Sequence, residues 1–222
     1  MLIVLIPYGR SSSMSKVCLV TGSSRGLGRE IVTAALAAGH RVLATARDPR
    51  TLDGLVAAHG HRVRAARLDV TDADAAERVV REAVEAFGRL DVVVNNAGQG
   101  DRAALEDTTL EVFRRQVDTN FYGTVYVSRA AVPVLRRQGG GRIIQISSLG
   151  GRIGSPGMSA YHAAKWAVGG FSESPAAEVA PLGIKVTVLE RVACGRNGPG
   201  RPWAPRPSAS RTGPPSVPRP SR

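Results

Sequence analysis

Three side chains with acid–base character stand close together in the second half of the chain: Ser148, Tyr161 and Lys165. If the segment that begins near Ser159 is helical, Tyr161 and Lys165 lie four residues apart on one face of the helix. An ammonium group beside the phenol favours the phenolate form, so Tyr161 could both donate and accept a proton. A Tyr-x-x-x-Lys pair by itself is more often part of an amphipathic helix with a solvated lysine, so the neighbouring motifs decide the interpretation.

A glycine-rich segment near the start of the chain predicts a phosphate site. It reads Thr21-Gly-Ser-Ser-Arg-Gly-Leu-Gly28, follows a short apolar run over residues 16–20 and precedes a helical pattern from Arg29 to Ala38. A strand, a glycine-rich turn and a helix in this order place backbone N–H groups where a pyrophosphate can lie. A tight connection whose glycines only supply positive φ is the alternative, and the flanking strand and helix favour nucleotide binding.

The end of the second predicted strand, residues 42–46, bears on the choice of nucleotide. In dinucleotide-binding folds an acidic residue there holds the ribose 2′-hydroxyl group, whereas an arginine accommodates a 2′-phosphate. This chain has Arg47 at that place and Arg25 in the glycine turn, with Asp48 one residue further on. The two cations favour NADP, while Asp48 keeps NAD open. Solvated arginines on an exposed rim are the other interpretation.

The rest of the chain alternates strand and helix patterns. Further strands are predicted over residues 63–68, 90–94, 142–147 and 184–189, and helices over residues 51–59, from a cap at Thr71, over residues 110–137 and from about residue 159. Continuous apolar runs are typical of parallel strands that are covered on both faces. We therefore expect an α/β fold with a Rossmann-like, doubly wound parallel sheet. Ser148 then lies at the carboxyl end of a strand, where ligands bind in such sheets.

The composition bounds the class of protein. With 222 residues and 43% hydrophobic content the chain can bury one core, and its two cysteines, Cys18 and Cys194, are too few for a disulfide framework. The apolar start, residues 1–7, lacks the basic region of a signal peptide and the length of a membrane span. We therefore expect a cytoplasmic protein with no membrane partner, and we predict no metal site.

The end of the chain differs in composition from the rest. Residues 191–222 hold seven arginines, eight of the 14 prolines and no acidic residue, so they account for much of the net charge of +12. Such a segment is predicted to be extended or disordered. Because Trp203 is its one aromatic residue, it lacks the stacking pattern of single-strand binders, and we expect no nucleic-acid partner. We divide the chain into an N-terminal extension (1–15), a dinucleotide-binding domain (16–190) and this tail (191–222).

Taken together, four motifs resemble the short-chain dehydrogenase/reductase family: Thr21-Gly-x-x-x-Gly-x-Gly28, Asn95-Asn-Ala-Gly98, Ser148 and Tyr161-x-x-x-Lys165. Their order and separations match those of the family over residues 16–190. The resemblance implies an NAD(P)-dependent oxidoreductase that interconverts a small-molecule carbonyl and an alcohol, and a homo-oligomer. Ser148 is preferred over its neighbour Ser147 because it stands 13 residues before Tyr161, the usual interval in the family.

The resemblance also implies a catalytic role for each matched side chain. Tyr161 would be the acid/base, and Lys165 would support it and hold the nicotinamide ribose. Ser148 would bind the substrate oxygen, and Asn120 would hold a water molecule that continues the proton relay.

The nucleotide-binding residues implied by the resemblance lie in the glycine turn and at three strand ends. In addition to Tyr161 and Lys165 they are Gly22, Ser24, Arg25, Gly26, Leu27, Gly28, Arg47, Asp69, Val70, Asn96, Ala97 and Gly98. Asp69 would meet the adenine, and Asn96 would support the nicotinamide side.

Two features depart from the family pattern. Pro175 falls inside the helix that follows Tyr161, where an interior proline costs about 3 kcal/mol, so we expect a kink near residues 171–174. After Glu190 the sequence does not continue with the Pro-Gly turn, the substrate-covering segment and the last strand that are typical of the family. We therefore expect a sheet without its last strand.

The composition change at Glu190 predicts that the sequence after it is read out of frame. Codons for Arg191-Val-Ala-Cys-Gly-Arg196 can, after one added base, read Pro-Gly-Gly-Val-Arg-Thr, which restores a family-like continuation. A genuine disordered tail is the alternative. Two function classes follow: an active NADP-dependent oxidoreductase, and a nucleotide-binding but catalytically impaired relic of such an enzyme.

Overall fold

The computed structural model describes residues 15–192. Within them the strands are β1 (Val17–Val20), β2 (Arg41–Ala46), β3 (Val63–Arg67), β4 (Val92–Asn95), β5 (Gly141–Ser148) and β6 (Ile184–Arg191). The α-helices are α1 (Gly26–Ala37), α2 (Asp53–His59), α3 (Ala73–Phe87), α4 (Leu110–Val117), α5 (Gly123–Arg137) and α6 (Ser159–Val179). Except for residues 15, 191 and 192, the predicted N-terminal extension, the basic tail and the predicted shift of reading frame lie outside the described residues.

The six strands form one sheet in the order β3-β2-β1-β4-β5-β6, and every neighbouring pair is parallel. This confirms the predicted Rossmann-like, doubly wound fold. All four residues of β1 are buried because the strand lies in the middle of the sheet and is covered on both faces. The order of the strands reverses between β1 and β4, and ligands of such sheets bind in the crevice at their carboxyl ends.

Two hydrophobic clusters cover the two faces of the sheet. One joins Leu19 and Val93 to helices α3 and α5, and the other joins Val20 and Val42 to helix α1 through Val32. Because side chains alternate along a strand, neighbouring residues of β1 enter different clusters. The two layers fix the positions of the strand ends relative to one another, and these ends form the crevice.

The helix predicted over residues 110–137 is interrupted in the structure. A π-helical turn, Asp118–Tyr122, separates α4 from α5 and contains Asn120, which is fully buried. The amide of Asn120 donates hydrogen bonds to the carbonyl groups of Gln99 (2.7 Å) and Gln116 (2.8 Å). The Asn120 side chain thus joins the turn to the segment after β4, a contact that periodicity cannot report. Such turns occur frequently at functional sites.

The cap predicted at Thr71 is wrong by one residue. Asp72 is the N-cap of α3, and its carboxylate accepts a hydrogen bond from the backbone N–H of Ala75 at 2.9 Å. The hydroxyl group of Thr71 instead donates to Asp69 Oδ1 at 2.8 Å. The two acidic residues thus have different partners, since Asp69 binds Thr71 and Asp72 binds the first turn of α3.

Pro175 lies inside α6, which continues past it to Val179 as one helix. Proline removes the hydrogen bond that a backbone N–H at this position would donate to the carbonyl of Phe171. The proline therefore does not end the helix, and the predicted kink stays a prediction. No helix within residues 15–192 combines the length and the apolar composition that a membrane span requires.

The two glycines Gly123 and Gly170 allow a matched test of packing in this fold. A β-carbon added at Gly123, the first residue of α5, would lie 2.6 Å from Val70 Cγ2, whereas one added at Gly170 in α6 meets nothing within 4 Å. Gly123→Ala should lower the free energy of unfolding by about 1–3 kcal/mol through overpacking. Gly170→Ala should raise it by about 0.5–1 kcal/mol because alanine restricts the unfolded chain. Urea unfolding measures both, and a stable Gly123→Ala variant would contradict the close contact of α5 with Val70.

Candidate active site

The crevice is held together by hydrogen bonds between the segments that follow β1 and β4. The hydroxyl oxygen of Thr21 accepts hydrogen bonds from the backbone N–H groups of Asn96 and Ala97, both at 2.9 Å. The amide nitrogen of Asn96 donates to the carbonyl groups of Thr21 (2.9 Å) and Gly22 (3.1 Å). The structure thus places Asn96 against the glycine turn, so that the two motifs form one unit.

Close packing requires glycine at two positions of the turn. A β-carbon at Gly28 would overlap the carbonyl oxygen of Gly22 and the amide of Asn96. One at Gly22, where φ is +67°, would lie 2.9 Å from the Cα atom of Ala97. Side chains are excluded at both positions, and the backbone can approach a ligand closely.

Helix α1 begins at Gly26 with an N-terminus that no side chain caps. Its N-cap, Arg25, has an extended backbone and makes no capping hydrogen bond, and the first turn has no acidic residue. Helices α3 and α4 are capped by Asp72 and Thr109, whereas α2, α5 and α6, like α1, have no side-chain cap. The first N–H groups of α1 are therefore available to an anion, and the space next to Gly26 is open, with nothing within 4 Å of an added β-carbon. These features fit the pyrophosphate of a dinucleotide, with Ser24 and Leu27 half-buried in the same turn.

The carboxyl end of β2 presents positive charge. Arg47 is exposed, whereas the carboxylate of Asp48 is held by Arg50, whose Nε lies 2.9 Å from Oδ1 and whose Nη2 lies 2.8 Å from Oδ2. The hydrogen bonds of Arg50 keep the pKa of Asp48 below its ordinary value. Asp48 is thus already engaged by a cation of its own segment.

Asp69 and Val70, which follow Leu68 after the end of β3, lie in different environments. Asp69 is exposed, and its Oδ1 accepts hydrogen bonds from the backbone N–H (3.0 Å) and the hydroxyl group of Thr71. Val70 is buried against the α5 start, close to Gly123. Asp69 therefore faces the solvent at the strand end, while Val70 belongs to the core.

Tyr161 lies between two glycine backbones at the carboxyl edge of β5. An added β-carbon at Gly100 would lie 3.2 Å from Cδ2 of its ring, and one at Gly150 would lie 3.3 Å from Cε1. Gly150 also donates its N–H to the hydroxyl oxygen of Ser148 at 3.1 Å. The turn after β5 therefore brings Ser148 and Tyr161 to the same place.

The two neighbouring serines have different surroundings. Ser147 is buried, and its hydroxyl group donates to the carbonyl of Lys165 at 3.4 Å. Ser148 is half-buried, and its hydroxyl group donates to the carbonyl of Arg191 at 3.4 Å. Adjacent residues of an extended strand point to opposite faces, which explains the difference.

Lys165 is buried although it is charged. Its exposed fraction is 4%, and its ammonium group donates to the carbonyl of Ile146 at 2.8 Å and lies 5.8 Å from the centroid of the Tyr161 ring. Burial lowers the pKa of Lys165 from 10.5 to about 8, and the charge of Arg191 contributes in the same direction. The lysine is therefore a buried cation beside the phenol of Tyr161, and its pKa is closer to neutral pH than that of an exposed lysine.

The side chains of Asn120 and Lys165 both lie close to Gly98. A β-carbon added at Gly98 would lie 2.7 Å from Oδ1 of Asn120 and 3.7 Å from the ammonium nitrogen of Lys165. Asn120 Oδ1 also accepts a hydrogen bond from the backbone N–H of Gln99 at 3.2 Å. The structure thus brings Asn120, Ser148, Tyr161 and Lys165 to one edge of the sheet.

Three further residues shape this edge and were not predicted as site residues. They are Thr21, Gly100 and Gln116. Gln116 is 2% exposed, and its side chain accepts a hydrogen bond from the backbone N–H of Asp101 at 3.0 Å. Its position four residues before Asn120 was the available signal, because residues at this spacing share a helix face. Thr21 and Gly100 act through contacts with distant segments, which no local pattern reveals.

Known proteins resemble this chain over most of its length. The family model described as short chain dehydrogenase matches residues 16–195. An oxidoreductase, BOA17, of Botryotinia fuckeliana is 55% identical over 178 residues, which cover 80% of this chain and 65% of that protein. The 3-ketodihydrosphingosine reductase of Bacteroides thetaiotaomicron is 38% identical over 79% of this chain and 62% of its own length.

A solved structure has the same fold. The crystal structure of a short-chain dehydrogenase from Streptomyces avermitilis superposes with a TM-score of 0.77 at 45% identity, covering 81% of this chain and 66% of that one. The chain thus spans about two thirds of the length of these relatives. The match extends over the glycine turn, the crevice and the Tyr161 helix, and the chain belongs to the short-chain dehydrogenase/reductase family of oxidoreductases.

Proposed function

We propose that this chain is an NADP-preferring oxidoreductase that interconverts a small-molecule carbonyl and an alcohol. The observation that carries the proposal is the position of Tyr161, whose ring lies beside Ser148 and Lys165 at the sheet edge that also holds an uncapped glycine turn. The name of the Bacteroides thetaiotaomicron relative, a reductase of a keto compound, supports a carbonyl substrate. A homo-oligomer and a cytoplasmic location stay predictions.

Tyr161 is the proposed acid and base. When bound, the nicotinamide nucleotide would supply the hydride that reduces the carbonyl carbon. Tyr161 would donate its phenolic proton to the substrate oxygen as negative charge develops there, and Ser148 would donate a hydrogen bond to the same oxygen. In the oxidative direction Tyr161 would take the proton back.

Lys165 and Asn120 are proposed to act through charge and position. The buried ammonium group of Lys165 would stabilise the phenolate of Tyr161 and bind the nicotinamide ribose. Asn120 would hold residues 98–100 next to Lys165, where a water molecule could continue the proton relay.

The glycine turn and the N-terminus of α1 would bind the pyrophosphate, and Arg25 and Arg47 would bind a 2′-phosphate. The NADP preference is supported by Asp48, because Arg50 holds the carboxylate that could otherwise bind a ribose 2′-hydroxyl group. On the other strand ends, Asp69 would meet the adenine, with Asn96, Ala97 and Gly98 closing the crevice.

A nucleotide-binding protein without turnover is the second candidate. It is favoured by the hydroxyl group of Ser148, which donates to the carbonyl of Arg191 and would have to leave it to bind a substrate. NADPH fluorescence combined with turnover on a panel of ketones and aldehydes separates the two candidates. Binding with turnover supports the oxidoreductase, whereas binding without turnover supports the second candidate.

Replacement of Tyr161 tests the mechanism. In an active preparation, Tyr161→Phe should abolish turnover but leave NADPH binding intact, because only the proton donor is removed. Tyr122→Phe, at an exposed tyrosine on the π turn, is the matched control and should retain activity. Steady-state rates and NADPH fluorescence give the two readouts, and near-normal rates in Tyr161→Phe would show the mechanism to be wrong.

Replacement of Arg47 tests the nucleotide preference. Arg47→Ala should weaken NADPH binding by about tenfold or more and leave NADH binding nearly unchanged, because only NADPH carries the phosphate that it would bind. Arg81→Ala, an exposed arginine of α3, is the control. Titration by nucleotide fluorescence measures the dissociation constants. Equal losses for NADPH and NADH would contradict the assignment.

Burial of Lys165 predicts a dependence of stability on pH. Its pKa is about 8 in the folded protein and near 10.5 in the unfolded chain, so between these values the unfolded state holds more protons. Lys165 should therefore contribute a rise in the free energy of unfolding as the pH increases from about 8 to about 10.5, which the buried thiol of Cys18, whose pKa burial raises to about 12, opposes above about pH 9. Lys165→Met should lose this rise and should also bind NADPH more weakly.

The control for this measurement is Lys185→Met, at an exposed lysine of β6, which should keep the rise. Urea unfolding of the three proteins over this pH range gives the comparison. The same pH dependence in Lys165→Met and in the unchanged protein would rule out the buried lysine as its source.

A further inference from the structure

In addition to Arg25 and Arg47, a third arginine lies where β2 and β3 end, at the edge of the sheet where the nucleotide is proposed to bind. Arg67 is the last residue of β3, and its Cα atom pairs with that of Ala46, the residue before Arg47. The next residue, Leu68, donates its N–H to the carbonyl of Ala46 at 2.9 Å, which holds the two strand ends side by side. Neighbouring strands are about 4.8 Å apart, so the backbone of Arg67 lies one strand spacing from the end of β2.

The face on which Arg67 leaves the sheet follows from the pairing. Partners in a parallel register share a face, and Ala46 packs into the cluster that includes Val32 and Leu36 of α1. The residues on either side of Arg67, Ala66 and Leu68, enter the opposite cluster. Because side chains alternate along a strand, Arg67 leaves on the side of α1, the helix whose N-terminus forms the glycine turn.

The charge of Arg67 acts on the end of β2, and its guanidinium group makes no contact with a carboxylate in the part of the chain that the structure describes. It helps to lower the pKa of Asp48, although the hydrogen bonds from Arg50 are the main cause. Arg67 is exposed, and within residues 15–192 it forms neither a hydrogen bond nor an ion pair, whereas Asp48 is bound by Arg50. Within residues 15–192 the strand ends thus carry two guanidinium groups without a hydrogen bond or ion pair, those of Arg47 and Arg67, and two carboxylates, of which Asp48 is bound by Arg50 and Asp69 by Thr71.

We propose that Arg67 is a specificity-determining residue that binds the 2′-phosphate of NADP together with Arg47. The inference rests on the proposed function and deepens it. A phosphate dianion has three acceptor oxygens and is bound best by guanidinium groups that approach it from more than one direction. Arg47 approaches from the end of β2, and Arg67 approaches from the neighbouring strand on the α1 side. A ribose 2′-hydroxyl group offers no charge to Arg67, so the residue should discriminate between the two nucleotides.

The test compares Arg67→Gln with the unchanged 222-residue protein. Dissociation constants are measured by fluorescence for NADPH and NADH, and by calorimetry for adenosine 2′,5′-bisphosphate and 5′-AMP. Arg67→Gln should weaken binding of NADPH and of the bisphosphate by about three- to tenfold, and binding of NADH and 5′-AMP should change by less than about twofold. The loss should decrease at high salt because the contact is exposed.

Arg64→Gln is the matched control. Arg64 is an exposed arginine of the same strand, and it lies three residues, about 10 Å, toward the amino end. It should leave all four dissociation constants unchanged, and Arg67→Lys should recover part of the NADPH affinity. Urea unfolding of each variant verifies that the sheet is intact.

Each outcome of the test is informative. NADPH binding by Arg67→Gln as tight as that of the unchanged protein would overturn the inference and leave the proposed function standing. Equal weakening of NADPH and NADH would also overturn it, because Arg67 would then bind a part that both nucleotides share. An unchanged protein that binds NADH but discriminates against NADPH would overturn both the cofactor preference and the role of Arg67.

Discussion

The hydroxyl group of Thr21 joins two segments that are 75 residues apart in the chain, and the geometry of the crevice depends on this contact. It binds the backbone of Asn96 and Ala97, while Asn96 returns two hydrogen bonds to the glycine turn. These hydrogen bonds satisfy the polar groups around Gly28, which is buried and has no room for a side chain. The turn therefore meets a ligand with its backbone, in a shape set by the sheet.

Two features at the crevice are unfavourable for the protein without a ligand. Helix α1 begins there without a side-chain cap, as α2, α5 and α6 do elsewhere, whereas α3 and α4 are capped by Asp72 and Thr109. Lys165 is buried at the same edge, where desolvation lowers its pKa. Each feature costs stability in a protein without a ligand, and each would be compensated by an anionic nucleotide.

At the carboxyl ends of β2 and β3, an ion pair between two residues close in the chain changes how the sequence is interpreted. Asp48 stands where a carboxylate could bind a ribose hydroxyl group, but Arg50 folds back on it through the turn Pro49–Leu52 and occupies both oxygens. An exposed pair of this kind contributes little to stability. Its consequence is for the local charge, because Asp48 is paired with Arg50, and within residues 15–192 Arg47 and Arg67 form no ion pair.

The sequence by itself determined the fold class, the family and most of the strands. Apolar runs between glycine turns are sufficient for this, because parallel strands buried on both faces have a local signature. The positions of Tyr161 and Lys165 on one helix also follow from local periodicity. The cap at Asp72 is also local, since its hydrogen bond spans three residues, although the choice between Thr71 and Asp72 was seen only in the structure. Only the tertiary structure decided the π turn at Asn120 and the position of Tyr161 between Gly100 and Gly150. These two features arise from contacts between segments far apart in the chain, and propensities, which describe near neighbours, contain no information about them.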